Sequence, residues 1–319
     1  MSFMTNRPVR GQDFFGRQSI LKEIQKRVGR PTWVLGNRRV GKSSLLRQIE
    51  WLCDQKHWAG IHALYWDFQG AGSSEGLKES LLECLESKSQ ILDAFDLDID
   101  DLEKYSFPEL LTKIRRRFKG KGQFVFLIDE VEELVDISQR EPQTLGALRK
   151  IQEPGSLSLI ITGSRRLMEL DESGALTSPL LPDFLPPLLL GPFQETETQQ
   201  MLAAGKIPQE TAHQIHQLTF GNPHLTNHLA ERYLQLGSLD LATKSIMQDK
   251  VLNYFFQSNF SCLPHRYMEA WRSRKSTDLL QSIVPAHRDF PYLQQSVLIR
   301  AISESSVEVN PLLQLEEAG

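Results

Sequence analysis

WVLGNRRVGKSSLLRQI, residues 33–49, decides how the rest of this chain is read. The apolar run PTWVL at 31–35 reads as a short buried strand. KSSLLRQIEWLC at 42–53 reads as a helix, because Leu45, Leu46, Ile49, Leu52 and Cys53 fall on one face. Between them Gly36 and Gly41 bracket Asn37, Arg38, Arg39 and Val40, and Lys42-Ser43-Ser44 opens the helix. Glycines let the backbone curl so that successive N–H groups point inward. The helix N-terminus adds further N–H donors and the positive end of its dipole. The stretch is therefore built to cradle an anion.

The spacing is G-x-x-x-x-G-K-[ST], the Walker A or P-loop pattern, and it stands between a strand and a helix as that pattern requires. Lys42 is placed to reach β- and γ-phosphates, and the Ser43 hydroxyl to ligate Mg²⁺. Further along, QFVFLIDEVEELVD (123–136) carries five consecutive apolar residues that end in Asp129-Glu130. Such a run is what a strand covered on both faces looks like. An acidic residue at the end of that strand holds the Mg²⁺ shell in P-loop NTPases, and Asp129 fits that role. Glu130, its neighbour, is placed to orient and activate water for attack on the γ-phosphate. LSLIITGS (157–164) is another buried strand, and Thr162, Ser164 and Arg165 at its end are candidate γ-phosphate sensors. Arg149, Arg165 and Arg166 are candidate arginine fingers.

Strand and helix alternate through roughly the first 190 residues, which argues for an α/β fold with a parallel sheet covered on both faces. The remaining elements are a strand at 61–68 and helices at about 76–92, 107–119 and 141–152. The acidic stretch 93–106 reads as a loop or short helix. The proline-rich stretch SPLLPDFLPPLLLGPF (178–193) reads as an irregular crossover that ends in a short strand. Beyond it the pattern is helical, at 195–204, 208–219, 223–236 and 241–257. Further helices follow near 265–284 and 289–296, with two short alternating segments close to the end.

Composition excludes several classes. The chain has 319 residues, 24% charged and 40% hydrophobic, with Lys and Arg totalling 36 against 40 Asp and Glu, for a net charge of -4. No overall basic surplus points to nucleic acid. Cys53, Cys84 and Cys262 are odd in number and have no C-x-x-C spacing, which fits a reducing compartment and neither a disulfide framework nor a zinc site. The first residues carry no apolar signal region, and no membrane-spanning run occurs, so a cytoplasmic location is expected.

The motifs resemble those of the STAND and archaeal-type ATPases, relatives of the AAA+ and origin-recognition ATPases. FFGRQSILKEI, from Phe14, resembles the FxGRxxEL segment upstream of their P-loop, with Ile20 standing where that pattern has Glu. GNRRVGKSSLLRQ resembles their GxRRxGKSSLL loop, and FLIDEVEEL their Walker B strand. LPPLLLGPFQETETQQML and FGNPHLTNHLAERYL resemble their L-x-PL turn and G-x-P lid helix. The resemblance implies a P-loop ATPase core at 1–192, a helical lid at 193–240 and a winged-helix-like domain at 241–319. It implies ATP or ADP with Mg²⁺ as cofactors. It also implies that Phe14, Phe15, Gly16 and Arg17 lie near the base or ribose, and that Asn222 and Pro223 line it from the lid. The N-K-x-D guanine motif does not occur, in keeping with adenine.

The function expected is an ATP-binding and ATP-hydrolysing regulatory switch whose nucleotide state controls self-association or partner binding. The alternative is a DNA-associated ATPase, a loader or a transposition or replication accessory factor, that uses the winged helix. Residues 251–319 hold six Lys and Arg against seven Asp and Glu, a balance that favours protein docking over DNA. Arg266, Arg272, Arg274 and Lys275 are nonetheless clustered there.

Overall fold

A computed structural model describes residues 3, 7–119, 122–152, 157–163, 167, 170 and 180–248. The expected winged-helix segment, 241–319, lies outside the described residues except for 241–248, the first part of its first helix. Ser164, Arg165 and Arg166 also lie outside them. The chain divides into two compact units. One comprises Pro8–Asn37 and Gly41–Gly191, the other Met1–Arg7, Arg38–Val40 and Pro192 onward.

The first unit is an α/β sheet. Its strands are β1 (Thr32–Leu35), β2 (Ile61–Asp67), β3 (Gln123–Asp129), β4 (Leu157–Gly163) and β5 (Leu188–Leu189), in the order β2-β3-β4-β1-β5. Every pairing is parallel: Leu35 is level with Gly163, Ile128 with Ile161, and Asp67 with Asp129. The helices are α1 (Gln18–Arg27), α2 (Lys42–Asp54), α3 (Ser74–Glu86), α4 (Ser89–Phe95), α5 (Ile99–Leu102), α6 (Phe107–Phe118), α7 (Glu133–Arg140) and α8 (Gln143–Ile151).

Side chains alternate across a strand, so each strand serves two faces. Leu64, Trp66, Phe124, Phe126, Ile128, Leu159 and Ile161 belong to one large apolar cluster with residues of α3, α4, α6 and α8. Its centre is aromatic. Phe118 stacks on Phe124 with centroids 3.9 Å apart, and Phe95 meets both edge-on. The opposite face carries α2 across β2, β3 and β4. There α2 buries Leu45, Leu46, Ile49 and Cys53 as expected, leaves Leu52 half-buried, and buries two polar residues as well, Gln48 and Glu50.

The helix expected at 76–92 is two helices, α3 and α4. The chain turns at Lys88, whose ammonium reaches Asp54 at 2.6 Å and Glu50 at 3.2 Å on α2. The acidic stretch contains the short α5, capped by the Asp98 side chain. α7 is an additional helix between the Walker B strand and Pro142, in a stretch with no reading of its own in the sequence pattern. The proline-rich crossover forms a 3-10 turn at Leu181–Phe184 and then β5.

The second unit is helical: α9 (Glu195–Ala204), α10 (Gln209–Thr219), α11 (Pro223–Leu236) and α12 (Leu239–Gln248). The first three match their expected ranges to within a residue. α11 starts with Pro223 at its first position and Asn222 as cap, the Asn222 side chain accepting from the His224 and Leu225 N–H groups at 3.1 Å. Gly221 has φ 68°, and its carbonyl accepts from Phe193 N–H at 2.7 Å. A Cβ there would stand 2.1 Å from the Phe193 carbonyl oxygen, so only glycine fits this turn.

Candidate functional site

β1 delivers the loop at Gly36, and α2 begins at Lys42. The turn is made by two left-handed residues, Arg39 at φ 65° and Gly41 at φ 100°. Gly41 is the N-cap of α2 and supplies no side-chain cap, at the kind of helix N-terminus that takes an anion. A Cβ at Gly41 would meet nothing within 4 Å, so glycine is required by the backbone angle and not by crowding. The Lys42 ammonium folds back over the loop and donates to the carbonyls of Gly36 at 2.9 Å and Asn37 at 3.2 Å. Its charge therefore lies at the loop's own backbone. Ser43 follows it in the first turn, partly accessible. Ser44, expected among the phosphate contacts, has a second engagement: its Oγ accepts the Val9 N–H at 3.2 Å.

A second bond also ties the segment upstream of α1 to α2. Gln48 Oε1 accepts the Gly11 N–H at 2.6 Å. Past these anchors Phe14 and Phe15 are half-buried. Gly16 at φ 67° and Arg17 at φ 65° then turn the chain into α1. The FGR residues thus belong to the same unit as Gly36, Asn37 and the helix that starts after Gly41. Asn222 and Pro223 belong to the helical unit, where their capping geometry is the one described above.

Asp129 ends β3 and is 2% exposed. Three donors converge on its carboxylate. Tyr65 Oη donates to Oδ2 at 2.9 Å, and Oδ1 accepts from the Thr162 hydroxyl and from the Glu130 N–H at 3.1 Å. Thr162 is completely buried, so it holds the Walker B carboxylate and is not available to meet a γ-phosphate, the role the sequence suggested for it. Burial, and then the charges of Asp129 and Asp67, push the Tyr65 phenol far above its ordinary range and keep it a donor. Glu130 comes next, partly accessible and left-handed at φ 50°. That conformation costs a residue with a Cβ about 1 kcal/mol and occurs characteristically at functional sites. Glu132 lies close by, its carboxylate 3.2 Å from where a Cβ on Gly163 would stand.

The donor set suits Mg²⁺, which binds through one or two protein oxygens plus phosphate and water. Ser43 and Asp129 would hold it. Among the described residues no cluster of three or more His, Cys, Asp and Glu forms a cage of its own. Of the finger candidates only Arg149 is described. It lies on α8 with one guanidinium nitrogen buried.

Sequence reasoning missed Tyr65, Glu50 and Arg47. Glu50 is 1% exposed and accepts the Tyr65 N–H at 3.1 Å, Arg47 at 3.2 Å and Lys88 at 3.2 Å. The Arg47 guanidinium lies 3.5 Å over the Tyr65 ring. The available signal was the spacing 43, 47, 50, 54, a polar stripe on α2 running beside its apolar one.

No curated protein matches the chain. Among solved structures it is similar to a Walker-type ATPase of Pyrococcus abyssi, with TM-score 0.64 and 22% identity over 78% of this chain and 75% of that one. It is also similar to the ORC2 protein of Aeropyrum pernix, solved in ADPNP and ADP complexes, with TM-score 0.56 and 11% identity over 76% and 70%. At such identities the likeness is one of fold. Among the described residues no helix is long and apolar enough to cross a membrane. The sequence model of the novel STAND NTPase 1 family matches residues 7–219, most of the chain and all of residues 36–43 and 129–130, and this protein belongs to that family.

Proposed function

We propose that this chain is an ATP-hydrolysing regulatory switch whose nucleotide state controls self-association or the docking of a protein partner. The observation that carries the reading is the pairing of a P-loop whose lysine lies over the loop with a buried, triply hydrogen-bonded Asp129 followed by Glu130. In this reading residues 1–192 are the ATPase core, 193–240 the lid and 241–319 the responding domain.

The chain's own residues divide the work. Lys42 exchanges its two carbonyl acceptors for β- and γ-phosphate oxygens, which bind a cation more strongly. The N–H groups of residues 36–43 and the α2 dipole hold the rest of the polyphosphate. Ser43 and Asp129 would hold Mg²⁺, which when bound would neutralise charge on the phosphates. Glu130 accepts the proton of the attacking water. Phe14, Phe15, Gly16 and Arg17 flank the base. Hydrolysis removes the γ-phosphate contacts and resets the switch.

The test is mass by light scattering of the purified chain with ADP and with ATP in a Glu130→Gln background. A larger particle with ATP alone supports nucleotide-gated self-association. An unchanged mass in both states, with ATP bound, overturns self-association and directs the search to partner proteins and duplex DNA. Lys42→Ala is the control: it abolishes nucleotide binding, and a Lys42→Ala protein that binds as tightly as wild type removes the loop from the site.

A further inference from the structure

We propose that Tyr65 is a positioning residue for the metal centre: it holds Asp129, and is itself held by Arg47 and Glu50 of the helix that begins with Ser43. The inference deepens the nucleotide site proposed above and rests on it.

Three contacts fix Tyr65. Among the described residues β2 is an edge strand, so its outward N–H groups need partners other than a strand. At Tyr65 that partner is Glu50 Oε1, at 3.1 Å. The ring lies under the Arg47 guanidinium, and Arg47 also reaches Glu50 Oε2. The phenol oxygen then donates to Asp129 Oδ2. Ser43, Arg47 and Glu50 stand at i, i+4 and i+7, one stripe of α2. The helix that presents the first metal ligand therefore grips, two turns on, the side chain that orients the second. Lys88 closes the far end by bridging Glu50 and Asp54.

The hydroxyl is what separates this role from ordinary packing. A phenylalanine would fill the same buried space, with its ring still under Arg47. Of the two carboxylate oxygens, Oδ1 takes two donors from the described residues and Oδ2 takes one, from Tyr65. Each oxygen has about two lone-pair sites, so the atom left with capacity toward a metal's water is the one Tyr65 steers. Partners of this kind behind a ligating group typically change metal affinity by about tenfold or more when removed.

The experiment uses the full chain and a fluorescent ADP analogue, titrated first in EDTA and then with Mg²⁺. Tyr65→Phe is expected to bind the nucleotide in EDTA within about twofold of wild type, while the Mg²⁺ needed for half-maximal effect rises about tenfold. Arg47→Met, which leaves the phenol in place and loosens its hold, shifts the Mg²⁺ dependence the same way by a smaller factor. Phe126→Leu, on the other face of the sheet, lowers the melting temperature without moving it. A Tyr65→Phe protein with the wild-type Mg²⁺ dependence overturns the proposal. If that variant does not fold, an unshifted Arg47→Met does so instead. A wild-type chain that binds no nucleotide defeats the site reading itself, a result distinct from either.

Discussion

The two faces of the central sheet are built from different materials. The face under α3, α4, α6 and α8 is aromatic and aliphatic, with Trp66, Phe95, Phe118, Phe124 and Phe126 in ring contact. The face under α2 mixes its leucines with Glu50, Gln48, Tyr65, Thr162 and Asp129, all nearly inaccessible. Burying apolar rings is favourable by itself. Burying a carboxylate is costly unless donors surround it, and here both carboxylates have several. The first face makes the sheet stable. The second uses some of that stability to hold charged groups at fixed positions next to the phosphate loop.

If this division is right, substitutions on the two faces fail in different ways. The largest expected effect is at the end of the polar face. Glu130→Gln keeps nucleotide binding and slows hydrolysis about 100-fold or more, measured as phosphate release in single turnover; wild-type turnover removes Glu130 from the role of base. On the aromatic face Phe124→Ala is expected to cost about 4 kcal/mol of stability, read in urea melts, with the Mg²⁺ dependence of the surviving folded protein unchanged. A shift in that dependence would blur the two faces. Glu50→Gln comes next. It weakens the hold on Arg47, Lys88 and the Tyr65 N–H, two of them partners with some access to water, and costs about 2 kcal/mol. Unlike Phe124→Ala it also raises the Mg²⁺ requirement.

The smallest effect belongs to the helical unit. Burial lowers the proton affinity of His216, which meets Thr198 at 2.9 Å, and the hydrogen bond from His213 lowers that of Glu195. The unfolded chain then binds protons on His216 that the folded one refuses, so stability falls as pH drops through the ordinary histidine value of about 6.5. Glu195 adds a loss of the same sign at lower pH, as the pH falls through its depressed value. Melting temperature should therefore decline modestly from pH 7 to 5.5, and His216→Gln should flatten that decline.

The phosphate loop was legible because its chemistry is local: eight consecutive residues carry the glycines, the lysine and the serine, and a strand and a helix flank them. Asp129 and Glu130 were legible because a five-residue apolar run announces a covered strand and an acidic pair ends it. Thr162 was misread, since a threonine at a strand end gives the same pattern whether it faces a ligand or a neighbouring carboxylate. Tyr65 was hidden for a related reason. An aromatic residue in a strand reads as core, and its hydroxyl finds Asp129 64 positions away. The turn at Lys88 escaped because the attraction that bends the chain there comes from Glu50 and Asp54 on another helix.

Glu130 at φ 50° has a consequence for heredity. A single base change converts a glutamate codon to glycine, the one residue for which that backbone angle is free of strain. The mutant chain would gain up to about 1 kcal/mol of stability and lose its proposed base. A lineage selected for a sturdier fold would drift toward glycine at this position, and one selected for turnover would be held at glutamate. The residue at position 130 is thus where stability and the proposed turnover pull in opposite directions.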